Sequence, residues 1–149
     1  MTAIVYTDAS FKYPDKVAAS GHIILINGVM VKHQVHLLEI SNSHCAEIYA
    51  VTTAIQEAFL IKGVKQIFVN TDHQAIITRK YKRPKYQDLD DAIEKSWQAG
   101  IPVTINHVRG HAENRYNIFI DKSCGDMLKK YLNEVKSKEI KPGPSSTRA

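Results

Sequence analysis

An acid on the buried side of a helix restricts a fold severely, and the stretch from His107 to Leu132 (HVRGHAENRYNIFIDKSCGDMLKKYL) carries one. If the residues after Glu113 are helical, Ile118, Asp121, Gly125, Leu128 and Leu132 recur at steps of three and four, which places Asp121 on the apolar stripe. An ionised carboxylate buried without a partner disfavours folding strongly. The stripe therefore predicts that something cationic or hydrogen-bonding meets Asp121 inside.

The same anomaly recurs upstream. Ser43 opens a helix whose stripe reads Glu47, Val51, Ala54, Ala58 and Ile61, with Ala46-Glu47 as a partial capping arrangement and Lys62-Gly63 as its stop. Ala3 to Thr7 is a strand that ends in Asp8, which shares a face with Ile4 and Tyr6. Val17 to Ile26 and Val29 to Leu38 are strands joined by Asn27-Gly28, a strong hairpin signal, so three antiparallel strands open the chain. Gln66 to Thr71 is a fourth strand ending in Asp72. It follows a helix, which predicts that it runs parallel to the first strand with a right-handed crossover. Both Asp8 and Asp72 then fall at the ends of neighbouring parallel strands, where open α/β sheets bind ligands. Helical pattern resumes from Gln87 to Ala99, Gly100 and Pro102 break it, and Val103 to Val108 is a fifth strand. The expected class is α/β, a mixed five-stranded sheet flanked by helices.

At 149 residues and 44% hydrophobic content, one domain over residues 1–134 is expected, with a disordered tail over 135–149 that lacks apolar periodicity. No run approaches the length of a membrane span, and an acid interrupts the N-terminal apolar run, so a cytoplasmic protein is expected. Cys45 and Cys124 have no metal-type spacing and are read as small buried hydrophobes. The net charge of +5 suits a polyanionic partner without establishing one. Arg79, Lys80, Lys82, Arg83 and Lys85 form a dense basic cluster, interleaved with Tyr81 and Tyr86, that reads either as a solvated loop or as a phosphate-contacting patch.

Taken singly, each acid is an ordinary capped or solvated carboxylate. Taken together, they would repel by roughly 4 kcal/mol per pair at about 4 Å in an effective dielectric of about 20. Convergence therefore requires protonation, separation or a divalent metal, and a partly open cage of hard oxygens suits Mg²⁺.

The motifs YTDAS (residues 6–10), HCAE (44–47), NTDHQ (70–74) and RGHAENRYNIFID (109–121) resemble those of ribonuclease H type 1, from Ile4 to about Leu132 and in the chain order D, E, D, D. The resemblance implies a ribonuclease H-like fold and endonucleolytic hydrolysis of the RNA strand of RNA–DNA hybrids, leaving 5′-phosphate and 3′-hydroxyl ends. It makes Asp8, Glu47, Asp72 and Asp121 the metal-binding catalytic acids for two Mg²⁺ ions, with Mn²⁺ as an alternative, in a two-metal mechanism. It also gives His111 a part in proton transfer or product departure, and makes Ser10, Ser43, Gln74 and Asn117 candidate contacts to the hybrid beside the basic cluster. A monomer without a small-molecule cofactor is expected.

Two departures bear on affinity. Ser43-His44 stands where the family commonly has Asn followed by Asn or Gln, and the loop from Phe11 to Lys16 lacks the family's usual glycines and asparagine. The short span between Asp72 and the fifth strand leaves room for only a reduced basic protrusion, so weak, salt-sensitive binding is expected. A proofreading-type exonuclease is disfavoured because Ser10 stands where an acid would, and a transposase or integrase core because Glu47 precedes Asp72. A non-catalytic binding module would gain nothing from acids on buried stripes.

Overall fold

In a computed structural model of the protein, the described residues are 1–12, 14–40, 42–80, 83–108 and 114–140, with residues 138–140 described by their backbone alone. The strands are β1 (Thr2–Lys12), β2 (Val17–Ile26), β3 (Val29–Glu39), β4 (Gln66–Thr71) and β5 (Val103–His107). The helices are α1 (Ser43–Phe59), the short α2 (Gln74–Thr78), α3 (Gln87–Gln98) and α4 (Arg115–Ile140), with a 3₁₀ turn over Arg83–Tyr86 before α3.

One sheet of order β3-β2-β1-β4-β5 results, antiparallel among the first three strands and parallel from β1 through β4 to β5. Asn27 and Gly28 turn the β2–β3 hairpin with φ of 51° and 79°, the pair of positive values that this two-residue turn requires. Period two sorts the side chains between two layers. Ala3, Val5 and Ile24 pack with Val51, Ala54 and Ile55 of α1 and Leu89 of α3. Ala19, Ile23 and Leu25 pack with Ile120, Cys124 and Leu128 of α4. Helices thus cover both faces, and β2 is buried along all but its last residue. Among the described residues no helix is long and apolar enough to cross a membrane.

Four expectations change in detail. β1 runs on to Lys12, because β2 continues to pair with it as far as Lys12↔Val17. α1 is capped by Asn42, one residue ahead of Ser43, whose Oδ1 accepts from the Cys45 N–H at 2.9 Å. The buried stripe of α4 is centred on Ile120 and Cys124, both fully buried, whereas Ile118 is 48% exposed. Steps of three and four fit either set, and the partner sheet selects between them. Asp121 and Gly125 flank the stripe as a result. Finally, α4 continues to Ile140, so residues 135–140 are helix where a tail was expected. Extending an existing helix needs no new nucleus, and nothing from Asn133 to Ile140 breaks it. Residues 141–149 lie outside the described residues.

Candidate active site

The sheet is split at one place. Pairing between β1 and β4 ends at Tyr6↔Asn70, although β1 continues with β2 to Lys12 and β4 continues with β5 to Thr71. Asp8 and Asp72 each stand two residues beyond the last pair, so their backbones flank the split. Glu47, in the second turn of α1, approaches from the α1 side, and Asp121 comes from α4 on the opposite side. One ligand oxygen from each of Asp8, Glu47 and Asp72 lies within 4.8 Å of the others. Asp121 adds its charge and a hydrogen bond to the carboxyl of Asp8. What meets Asp121 inside is therefore more acid.

The electrostatic consequence is large. Burial first, then the charge of Asp72, push Asp8 up to about 8, against a backbone hydrogen bond in which the Ala9 N–H donates to Oδ1 at 2.8 Å. Glu47 is also raised well above the usual carboxylate range, chiefly by burial and then by Asp8, Asp72 and Asp121. Its Oε1 is buried with no hydrogen-bond partner among the described residues. Oxygens so crowded, desolvated and incompletely satisfied have the chemistry of a hard divalent-cation site.

Local structure holds each acid in place. The Asn70 amide donates to the Val5 carbonyl at 3.2 Å, and its Oδ1 accepts from Asn106 at 3.1 Å, tying β1, β4 and β5 together just before the split. Gly21 pairs with Asp8 across β1–β2 and lets α4 approach closely. A Cβ built on Gly21 would stand 2.8 Å from the Cys124 Sγ and 3.0 Å from the Ile120 Cδ1. Cys124 is the small buried group expected, and its thiol lies 3.7 Å from the Asp8 carbonyl. Burial, and then the nearby acids, raise that thiol far above its ordinary value, so it stays protonated. Asn114 starts α4, with Oδ1 accepting from the N–H groups of Tyr116 at 2.8 Å and Asn117 at 3.3 Å, and Nδ2 donating to the Tyr6 hydroxyl at 3.2 Å.

The remaining expected residues divide. Ser43 and Gln74 are exposed and begin α1 and α2 respectively, next to the acid cluster in sequence. Ser10 is half-buried and faces Gly125 of α4. Asn117 is 1% exposed, with both amide atoms buried and unpartnered among the described residues. Asn117 thus lies on the inward side of α4. Arg79, Lys80, Arg83 and Lys85 are all exposed, and Arg79 is engaged with Asp90 at 2.7 Å and lies 4.8 Å over the Tyr86 ring. Lys80 and Lys85 both act electrostatically on His44, which places them on the α1 side of the site. His111 and Lys82 lie outside the described residues.

Sequence reasoning missed two features. One is the bond between His44 Nδ1 and His73 Nε2, 2.6 Å long; the other is the Asn70–Asn106 bridge. Both histidines sit inside the acid motifs, and an asparagine in a buried strand needs a partner, so the only signals were proximity to the motifs and the cost of burying a polar group.

A comparison with curated proteins finds no match. The RNase H family model matches residues 1–129, the span that contains all five strands and the four acids. The motifs, the mixed sheet and this match agree: the chain belongs to the RNase H family, hydrolases that cleave RNA in RNA–DNA hybrids.

Proposed function

We propose that the protein is a type 1 ribonuclease H that cuts the RNA strand of a hybrid internally and leaves 5′-phosphate and 3′-hydroxyl ends. The observation that carries this reading is the gathering of Asp8, Glu47 and Asp72 within 4.8 Å at the split in the sheet. Asp8, Glu47, Asp72 and Asp121 would hold two Mg²⁺ ions, and Mn²⁺ suits the same oxygen donors. Such ions, when bound, supply a lowered pKa for water and neutralise charge on the phosphate.

The chain's own groups do the rest. Ser43 and Gln74, exposed at helix starts, would donate or accept hydrogen bonds with the hybrid, where the 2′-hydroxyl distinguishes RNA from DNA. Ser10, beside Asp8 on β1, would contact the same strand. Lys80, Lys82, Arg83 and Lys85 would meet phosphates, and His111 would move a proton at the departing product, a role resting on its motif position alone.

The test is cleavage of a labelled RNA–DNA hybrid beside duplex RNA, duplex DNA and single-stranded RNA, with Mg²⁺ or EDTA, by the wild type and Asp72→Asn. Hybrid-only cleavage that requires metal and disappears in the variant is the expected result. Binding of hybrid without cleavage under any divalent ion would make the protein a binding module instead.

A further inference from the structure

We propose that His44 and His73 form a clasp that positions Glu47 against Asp72 when the site holds no metal, and so sets the affinity of the site for divalent cations. This inference rests on the reading of the four acids as the metal site. The bond between His44 Nδ1 and His73 Nε2, 2.6 Å long, joins residues 29 apart in sequence. His44 lies one helical turn before Glu47 on the same side of α1, and His73 directly follows Asp72. The clasp therefore spans the two backbones that carry those acids.

Its surroundings make it rigid. His44 is 5% exposed and meets the Tyr86 ring edge-on at 5.6 Å between centroids. Tyr86 is itself 1% exposed, and its hydroxyl donates to the Ala75 carbonyl at 3.1 Å. The His73 N–H donates to the Thr71 hydroxyl at 3.1 Å, which fixes the turn out of β4. Against this stands the mutual repulsion of the acids, which without a cation favours separating α1 from that turn.

The bond needs one proton between two rings, so it links the elements without adding charge. Burial and the neighbouring His73, Lys85 and Lys80 hold His44 down at about 4, and burial lowers His73 against the opposing influence of Asp72. The nearby lysines also make the pair a poor place for a metal ion of its own. Its role is that of a positioning pair, distinct from the groups that touch the scissile phosphate.

The experiment measures Mg²⁺ binding by calorimetry and the Mg²⁺ dependence of hybrid cleavage for the wild type, His44→Ala, His73→Ala, the double Ala variant, His44→Asn, His73→Gln and Asp72→Asn. Each Ala variant should bind Mg²⁺ about tenfold more weakly. At saturating Mg²⁺, kcat should return to within about twofold of wild type and the KM for hybrid should stay within the same margin. The double variant should be no worse than either single one, because the same bond is lost. His44→Asn and His73→Gln place an amide group near the lost ring nitrogen and should restore most of the affinity, which separates loss of the clasp from misfolding. Wild-type Mg²⁺ binding in the Ala variants, single effects that add in the double, or a change confined to KM for hybrid would each overturn the clasp. Asp72→Asn isolates the underlying reading: if it keeps the wild-type Mg²⁺ response, the acid site itself is wrong, whatever the histidine variants do.

Discussion

Asp8 carries a large electrostatic cost in the fold. Its carboxyl ionises near 3.8 when unfolded and at about 8 in the metal-free fold. Between these values the folded state holds a proton that the unfolded state has lost, so stability declines as pH rises through the window and is greatest below it. Burial holds His22 and His44 down at about 4, which acts in the opposite direction in wild type and variant alike, so the effect of Asp8 is read as a difference. In EDTA the melting temperature of Asp8→Asn relative to wild type should therefore climb between pH 4 and pH 8 and reach several degrees at the alkaline end, since about 1 kcal/mol moves Tm by about 3 °C in a domain of this size. Added Mg²⁺ should recover the wild type and leave Asp8→Asn little changed. Scanning calorimetry at a series of pH values checks all three, and a variant that melts lower throughout would contradict mutual repulsion. The acids were legible in the sequence because each interrupts a local pattern, a strand end or an apolar stripe. The partnership of His44 with His73 was not, because neither position interrupts a local strand or helix periodicity and the bond exists only where two distant backbones meet.

α4 reaches the site because Gly21 leaves room for it. An added methyl would press on the Cys124 Sγ at 2.8 Å, the Ile120 Cδ1 at 3.0 Å and the Gln34 carbonyl at 3.2 Å, and the last of these is backbone that cannot rotate away. Gly21→Ala should cost about 1–3 kcal/mol by overpacking and should draw α4, with Asp121, away from Asp8. Urea denaturation reads the first effect and Mg²⁺ affinity the second. Cys124→Ala in the same chain should return part of both, by removing the sulfur that the methyl strikes. The spans of β2 to β5 to within a residue, the hairpin turn and the start of α4 near Arg115 followed from local periodicity and turn chemistry. The rotation of α4 did not, since Ile118 and Ile120 satisfy helical spacing equally and only the sheet beneath distinguishes them.

Charge is divided between an acidic pit and a cationic exterior in a chain of net +5. The basic cluster is not uniform. Arg79 is committed to Asp90 and Tyr86, while Lys80 and Lys85 stand on the α1 side of the pit. Joint replacement of Lys80 and Lys85 by Ala should weaken hybrid binding and reduce the slope of log affinity against log salt by about two. Arg79→Ala should leave that slope unchanged and lower stability by about 1 kcal/mol. Fluorescence anisotropy across a salt series distinguishes the two, and an unchanged slope in the lysine variant would remove the patch from substrate binding.

Element order, the α/β class and the four acids could be read from the chain because they depend on neighbours within a few residues: alternation along a strand, three-and-four spacing along a helix, a glycine at a turn. The split between β1 and β4, the face that α4 buries, the inward position of Asn117 and the histidine clasp depend on which surfaces meet across long separations. Those outcomes are chosen by packing and by the satisfaction of buried polar groups, energies that come into being only when the layers close on one another.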